Sequence, residues 1–142
     1  MTSSHRKDIN VPSQTQYIRK VVSQLVNFVI GTANIDEDEF PLVLSEAVAN
    51  AIIHGNKNDA RKKVFARVSI NTEMVVFKVA DEGKGFDHKK LPDPTKVENL
   101  GKKHGRGLFF IRHFMDEVQF NKSGNEITMI KYRNCKNREI TQ

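Results

Sequence analysis

Residues 42–54 are apolar on almost every side of a helix, and any fold of this chain has to cover them. Exposed apolar surface is costly in water, so a helix of this kind is usually buried. The acidic run at 36–39 and Pro41 are typical of a first helical turn, and Gly55 is typical of a helix end. We expect a central buried helix that ends at Gly55.

The remaining patterns predict the layers that would pack on this helix. Apolar residues at helical spacing predict a helix over 16–30, stopped by Gly31, and another over 106–115. Alternating or dense apolar runs predict strands over 8–12, 64–71, 74–80, 117–121 and 126–132. This order predicts an α+β fold, a two-layer sandwich with helices packed on one face of a mostly antiparallel mixed sheet.

Size and charge limit the classes of function. The 142 residues fit a single domain over 1–142, with a core at about 8–133 and a polar tail at 134–142. The net charge is +6, but no long basic arm favours direct nucleic-acid binding. A single cysteine, a polar N-terminus and the lack of a membrane-length apolar run predict a soluble cytoplasmic protein.

Three polar residues interrupt the apolar helix. Glu46, Asn50 and His54 are four residues apart and share one face. Asn offers a neutral oxygen to Mg²⁺, and a Glu one turn away could deprotonate a nucleophile beside it. A polar stripe that faces solvent or bonds to nearby backbone explains the same spacing.

Two glycine-rich segments follow. In the first, Asp81 ends a strand and precedes Gly83 and Gly85, which allow positive φ or a close approach to the backbone. The Asp could accept a hydrogen bond from an amine such as that of adenine, and an ordinary turn is the alternative. In the second, Gly105-Arg106-Gly107 directly precedes a helix, where backbone amides favour an anion. The alternative is that this segment only connects the loop to the helix. Neither segment has the dinucleotide or P-loop pattern.

The three motifs in this order resemble the ATPase superfamily of gyrase, heat-shock chaperones, histidine kinases and mismatch-repair ATPases. Residues 45–55 and 114–118 are most similar to the bacterial anti-sigma factor serine/threonine kinases. The resemblance covers about residues 8–133 and implies ATP and Mg²⁺ as cofactors. It implies a flexible lid over residues 87–104, which would exclude water from the reaction.

The resemblance also implies a role for each matching residue. Asn50 would coordinate Mg²⁺, Glu46 would be the catalytic base, and Asp81 would bind the adenine amine. The family has a Thr in contact with adenine where this chain has Asn125. The resemblance therefore implies that Asn125 would make the adenine contact in place of the Thr. Residues that would shape the pocket or neutralise phosphate are Gly83, Gly85, Gly105, Gly107, Lys102, Lys103, His104 and Arg106.

Members of that family bind a sigma factor and phosphorylate a STAS-domain anti-anti-sigma protein, commonly as homodimers. The resemblance therefore implies three protein partners: a sigma factor or other regulatory protein, a STAS antagonist and a second copy of the chain. Arg19 is a candidate contact with a partner. No membrane or direct nucleic-acid partner is expected. The alternatives are a non-catalytic ATP-binding module that sequesters a protein partner and a detached histidine-kinase domain. The second lacks support, since no dimerisation helix with a phospho-accepting His is visible.

Overall fold

The computed structural model describes residues 4–84 and 103–133. Its three α-helices are α1 (Ile18–Ala33), α2 (Glu39–Asn50) and α3 (Lys103–Phe114). A single 3₁₀ turn, Thr15–Tyr17, precedes α1, and a π turn, Ala51–Gly55, follows α2. The five strands are β1 (His5–Pro12), β2 (Lys63–Ile70), β3 (Met74–Ala80), β4 (Glu117–Phe120) and β5 (Glu126–Tyr132). No described helix is long and apolar enough to cross a membrane.

The strands form one sheet in the order β1-β2-β3-β5-β4, and each described pairing is antiparallel. Alternate residues of β2 and β3 face the helices, and Val68 is opposite Phe77 in this inner layer. Phe77 meets Phe40 of α2 edge to face, with ring centroids 5.1 Å apart. Because helices and inner strand residues share one core, the predicted α+β two-layer fold is confirmed.

The ends of α1 differ from the predicted ones. The helix was expected to stop at Gly31, and this was wrong, since it continues to Ala33. It ends where Asn34 takes the left-handed conformation, with φ of 55°, and donates its N–H to the Ile30 carbonyl. Asn tolerates this conformation better than most residues, so it ends the helix as a glycine would.

The predicted burial of the central helix on all sides was also wrong. Phe40, Val43, Leu44, Ala47 and Val48 form the buried face of α2. The opposite face is open, since Leu42 is 56% exposed and Glu46 is exposed. A two-layer sandwich covers only the side of a helix that faces the sheet, which leaves Glu46 accessible to another molecule.

Candidate functional site

The end of α2 leads into the turn that follows β3. In the π turn, the N–H of Asn56 donates to the carbonyl of Ala51, five residues earlier, at 2.8 Å. Turns of this type are rare and are often found at functional sites. Here the turn places Gly55 directly against the carboxylate of Asp81. A Cβ at Gly55 would lie 2.7 Å from Asp81 Oδ1 and closer still to Oδ2, so a larger residue here would push the Asp81 carboxylate out of its position.

The turn from Asp81 to Lys84 is held by several hydrogen bonds. Asp81 donates its N–H to the Asn125 carbonyl at 2.9 Å, and its Oδ1 accepts the N–H of Gly83 at 2.8 Å. A Cβ at Gly83 would collide with the Gly55 carbonyl. Gly83 does not have positive φ, so the close approach of two backbones, rather than backbone conformation, explains this glycine. Asp81 and Gly83 thus share one small site with Gly55.

The carboxyl group of Asp81 is half-buried, and burial raises its pKa above the usual Asp value. The hydrogen bond from Gly83 and the positive charge of Lys62 oppose this shift. Burial is the larger effect, so the Gly83 hydrogen bond and the charge of Lys62 offset only part of the desolvation of this carboxylate. An amine that donates a hydrogen bond to Asp81 would replace part of the hydration that the carboxylate loses on burial.

The second part of the site is formed where α3 approaches α2. Gly107 is buried, and a Cβ there would lie 2.6 Å from Glu46 Oε2 and 3.6 Å from Asn50 Nδ2. Because residue 107 has no side chain, the α3 backbone lies directly beside the Glu46 carboxylate in its present position. The structure brings Glu46, Asn50 and Gly107 together.

The start of α3 differs from the prediction. Gly105-Arg106-Gly107 was expected to precede the helix, and this was wrong, because the helix begins at Lys103 and includes all three. The N–H groups of a first helical turn have no partner inside the helix and favour an anion. Anion-binding amides are still expected here, but they belong to helical residues instead of a loop.

Other predicted residues fall partly outside the described region. Outside it lie Gly85, Lys102, the predicted lid up to residue 102 and the tail at 134–142. The side chains of Lys103, His104 and Arg106 are also outside the described part. Asn125 is described and lies beside the Asp81 turn. Its Nδ2 donates to the Gly83 carbonyl at 3.3 Å, and its Oδ1 accepts from Asn121 at 2.7 Å.

The residues present are compatible with a magnesium ion. Within 4–84 and 103–133, no three His, Cys, Asp or Glu side chains group closely enough to hold a metal by themselves. Mg²⁺ bound through substrate phosphates needs only one or two protein ligands. The side-chain amide of Asn50, whose Nδ2 lies 3.6 Å from a Cβ placed on Gly107, also carries a neutral oxygen of the kind that Mg²⁺ accepts as a ligand. Asn50 would therefore hold the ion together with phosphates and water.

Sequence reasoning missed two residues of this region. Gly55 was interpreted only as a helix end, although its lack of a side chain also admits Asp81. Asn56 was not considered, yet it is fully buried and bonded to the turn after β3. A polar residue directly after an apolar helix was the available signal, but its partners are distant in the chain.

Comparison with known proteins agrees with this arrangement. The histidine kinase-like ATPase domain family matches residues 11–131. The chain is 32% identical over 137 residues to the serine-protein kinase RsbW of Bacillus subtilis, covering 89% of this chain and 85% of that protein. It is 40% identical over 100 residues to the anti-sigma F factor of Geobacillus thermodenitrificans, covering 68% of each chain. The chain therefore belongs to the anti-sigma factor kinase family of the histidine kinase-like ATPases.

Proposed function

We propose that residues 1–142 act as one ATP-dependent serine/threonine protein kinase domain of a partner-switch regulator. The proposal is carried by one observation: the carboxylate of Glu46 is accessible and lies where the first turns of α3 meet Asn50. A base at such a place can reach an acceptor hydroxyl beside a bound phosphate chain. Relatives named a serine-protein kinase and an anti-sigma F factor support it.

The nucleotide would be held at two places. The adenine amine would donate to Asp81 Oδ2, since Oδ1 already accepts the N–H of Gly83. The phosphates would lie near the first turn of α3, where Gly107 leaves room beside Glu46. Mg²⁺, held by Asn50, neutralises phosphate charge when bound.

The chemical step follows from these positions. Glu46 takes the proton of a serine or threonine hydroxyl as the oxygen forms a bond to the γ-phosphorus of ATP. The bond between that phosphorus and the β–γ bridging oxygen breaks, and ADP leaves. The proton then passes from Glu46 to solvent. Positioning and charge stabilisation provide most of the rate in phosphoryl transfer, so a displaced Glu46 would be costly.

The partners in this proposal are proteins. A sigma factor or another regulatory protein would be sequestered, a STAS-domain antagonist would be phosphorylated, and two copies of the chain would pair. Arg19 is exposed on α1, beside an open groove of about 730 Å³ that α1 shares with Pro41 and Ser45 of α2. A cation at a groove is suited to an acidic partner surface.

The test of this function is transfer of label. The full chain is incubated with γ-labelled ATP, Mg²⁺ and the STAS protein that it captures from its native lysate. We expect label on a serine or threonine of the STAS protein. Tight ATP binding with no transfer to any captured STAS protein would contradict a kinase and favour a non-catalytic module in which ATP tunes a partner's affinity.

Asp81→Asn is expected to separate nucleotide binding from folding. The Asn amide would face the adenine amine with a donor, so ATP affinity should fall about 10- to 100-fold, the range of one hydrogen bond to a charged group. The measurement is equilibrium titration with ATP at neutral pH. An unchanged ATP affinity would remove Asp81 from the adenine site.

The same variant should not lose stability at neutral pH. Burial raises the pKa of Asp81, so the folded protein bears a cost for the ionised carboxylate at any pH above that raised value. This cost disappears as the pH falls through the raised pKa toward the unfolded value of about 3.9. Thermal unfolding should show Asp81→Asn at least as stable as the wild type at pH 7, with the difference shrinking in acid.

A further inference from the structure

Asn56 is one of two polar residues described as fully buried, and each of its polar groups has a partner. Its Nδ2 donates to Ser13 Oγ at 2.6 Å and to the Lys63 carbonyl at 2.9 Å. Its Oδ1 accepts the backbone N–H of Glu82 at 2.8 Å. One amide thus joins the end of β1, the start of β2 and the turn after β3.

These contacts form a closed ring of hydrogen bonds. Asn56 donates to the Lys63 carbonyl, Lys63 donates its N–H to Glu82 Oε2 at 2.5 Å, and Glu82 donates its N–H to Asn56. A ring of this kind fixes the position of Glu82 relative to the helix end. Glu82 immediately follows Asp81, so the ring also holds the Asp81 backbone in place, and the N–H of Gly83 then orients the Asp81 carboxylate.

The helix end is held by the same residue. The backbone N–H of Asn56 closes the π turn on Ala51, and Gly55, the residue before it, is the one that packs against Asp81. Asn56 therefore sets both sides of this contact, the glycine through its backbone and the turn through its side chain. Nearly every rotamer of a buried, fully bonded amide is excluded, so both sides are placed before any ligand arrives.

We propose that Asn56 is a positioning residue for base recognition, and that it sets the preference of the site for a 6-amino over a 6-oxo purine. The proposal rests on the proposed ATP site. A carboxylate fixed against Gly55 accepts from the 6-amino group of adenine, whereas the 6-oxo group of hypoxanthine presents an acceptor to it. A carboxylate free to turn away would discriminate less between the two.

The test compares ATP and ITP, which differ at this position of the base, in equilibrium titrations of the full chain. The wild type should prefer ATP, and Asn56→Ala should lower ATP affinity about tenfold or more while changing ITP affinity little. The matched control is Ser13→Ala. It removes a hydroxyl that bonds Asn56 and the Lys62 carbonyl, but leaves the Asn56–Glu82 bond.

The outcomes separate the proposal from simple structural damage. Thermal unfolding identifies a temperature at which both variants are folded, and the titrations are done there. If the preference for ATP over ITP, measured as the ratio of the two affinities, is lost in Asn56→Ala alone, a positioning role is supported. If this ratio is the same in both variants and in the wild type, the proposal is overturned. A wild type that binds neither nucleotide would contradict the proposed function instead.

A second variant and a second measurement cover the case in which Asn56→Ala does not fold. Asn56→Ser keeps a hydroxyl for the buried carbonyl but is too short to hold Glu82, and the same loss of ratio is expected. In the nucleotide-free wild type, the Glu82 amide should exchange its hydrogen at least about tenfold more slowly than in an unfolded peptide. Unprotected exchange would overturn the proposal, because the turn would then not be fixed in advance.

Discussion

Glu46→Gln is expected to abolish phosphoryl transfer while leaving ATP binding nearly unchanged. Gln has almost the same shape but cannot take the proton of an acceptor hydroxyl, and loss of a general base costs on the order of 10²- to 10⁴-fold in rate. Glu46 is exposed on the open face of α2, so the change should have little effect on stability. Single-turnover transfer from labelled ATP measures the rate, and equilibrium titration measures ATP affinity.

A matched control is Glu39→Gln, which removes an equal charge from the first turn of the same helix. Glu39 favours the positive end of α2, so its loss should lower stability by about 0.3–1 kcal/mol and leave transfer unchanged. Undiminished transfer by Glu46→Gln would exclude Glu46 as the base. An equal loss in both variants would indicate that overall charge, rather than proton transfer, is involved.

Gly107→Ala is expected to lower transfer at least about tenfold without lowering stability. The new Cβ would lie 2.6 Å from Glu46 Oε2, the end of a flexible side chain that can move away. The backbone therefore need not shift, and Ala is favoured over Gly in a helix by up to about 1 kcal/mol. The variant should fold at least as well as the wild type, with its carboxylate displaced.

Gly31→Ala is the control for this variant. Gly31 also lies within a helix, but nothing lies within 4 Å of a Cβ placed on it. Its replacement should raise stability by roughly the same amount and leave the transfer rate unaltered. Thermal unfolding and single-turnover transfer of both variants are compared. Normal transfer by Gly107→Ala would mean that the position of Glu46 beside α3 is not important for the reaction.

Local patterns were sufficient for much of the fold and for part of the site. The bounds of β3 and β5 agree with the predicted ones, because short runs rich in β-branched and aromatic residues between turn residues are a strong local signal. The order of three motifs led us to expect one shared site, and the structure places Glu46, Asn50 and Gly107 close together. Each motif alone had an ordinary structural explanation, so their combination provided the prediction.

The errors arose at helix ends, which are poorly marked in the sequence, and where distant contacts decide the structure. The end of α1 at Ala33 depends on the conformation of Asn34. Helix ends are hard to predict when several neighbouring residues could end the helix. The beginning of α3 at Lys103 places Gly105 inside a helix, where its propensity alone would disfavour it. Asn56 forms hydrogen bonds with Ser13, 43 positions earlier in the chain, and with Glu82, 26 positions later. A pattern of neighbouring residues cannot reveal such partners.

In the proposed function, α2, the Asp81 turn and the first turn of α3 together form one ATP site. The decisive measurement is calorimetric titration of the 142-residue chain with ATP in the presence of Mg²⁺. We expect saturable binding of one ATP per chain, weakened by Asp81→Asn and retained by Glu46→Gln. The absence of saturable binding, or an equal affinity of the wild type and Asp81→Asn, would contradict it.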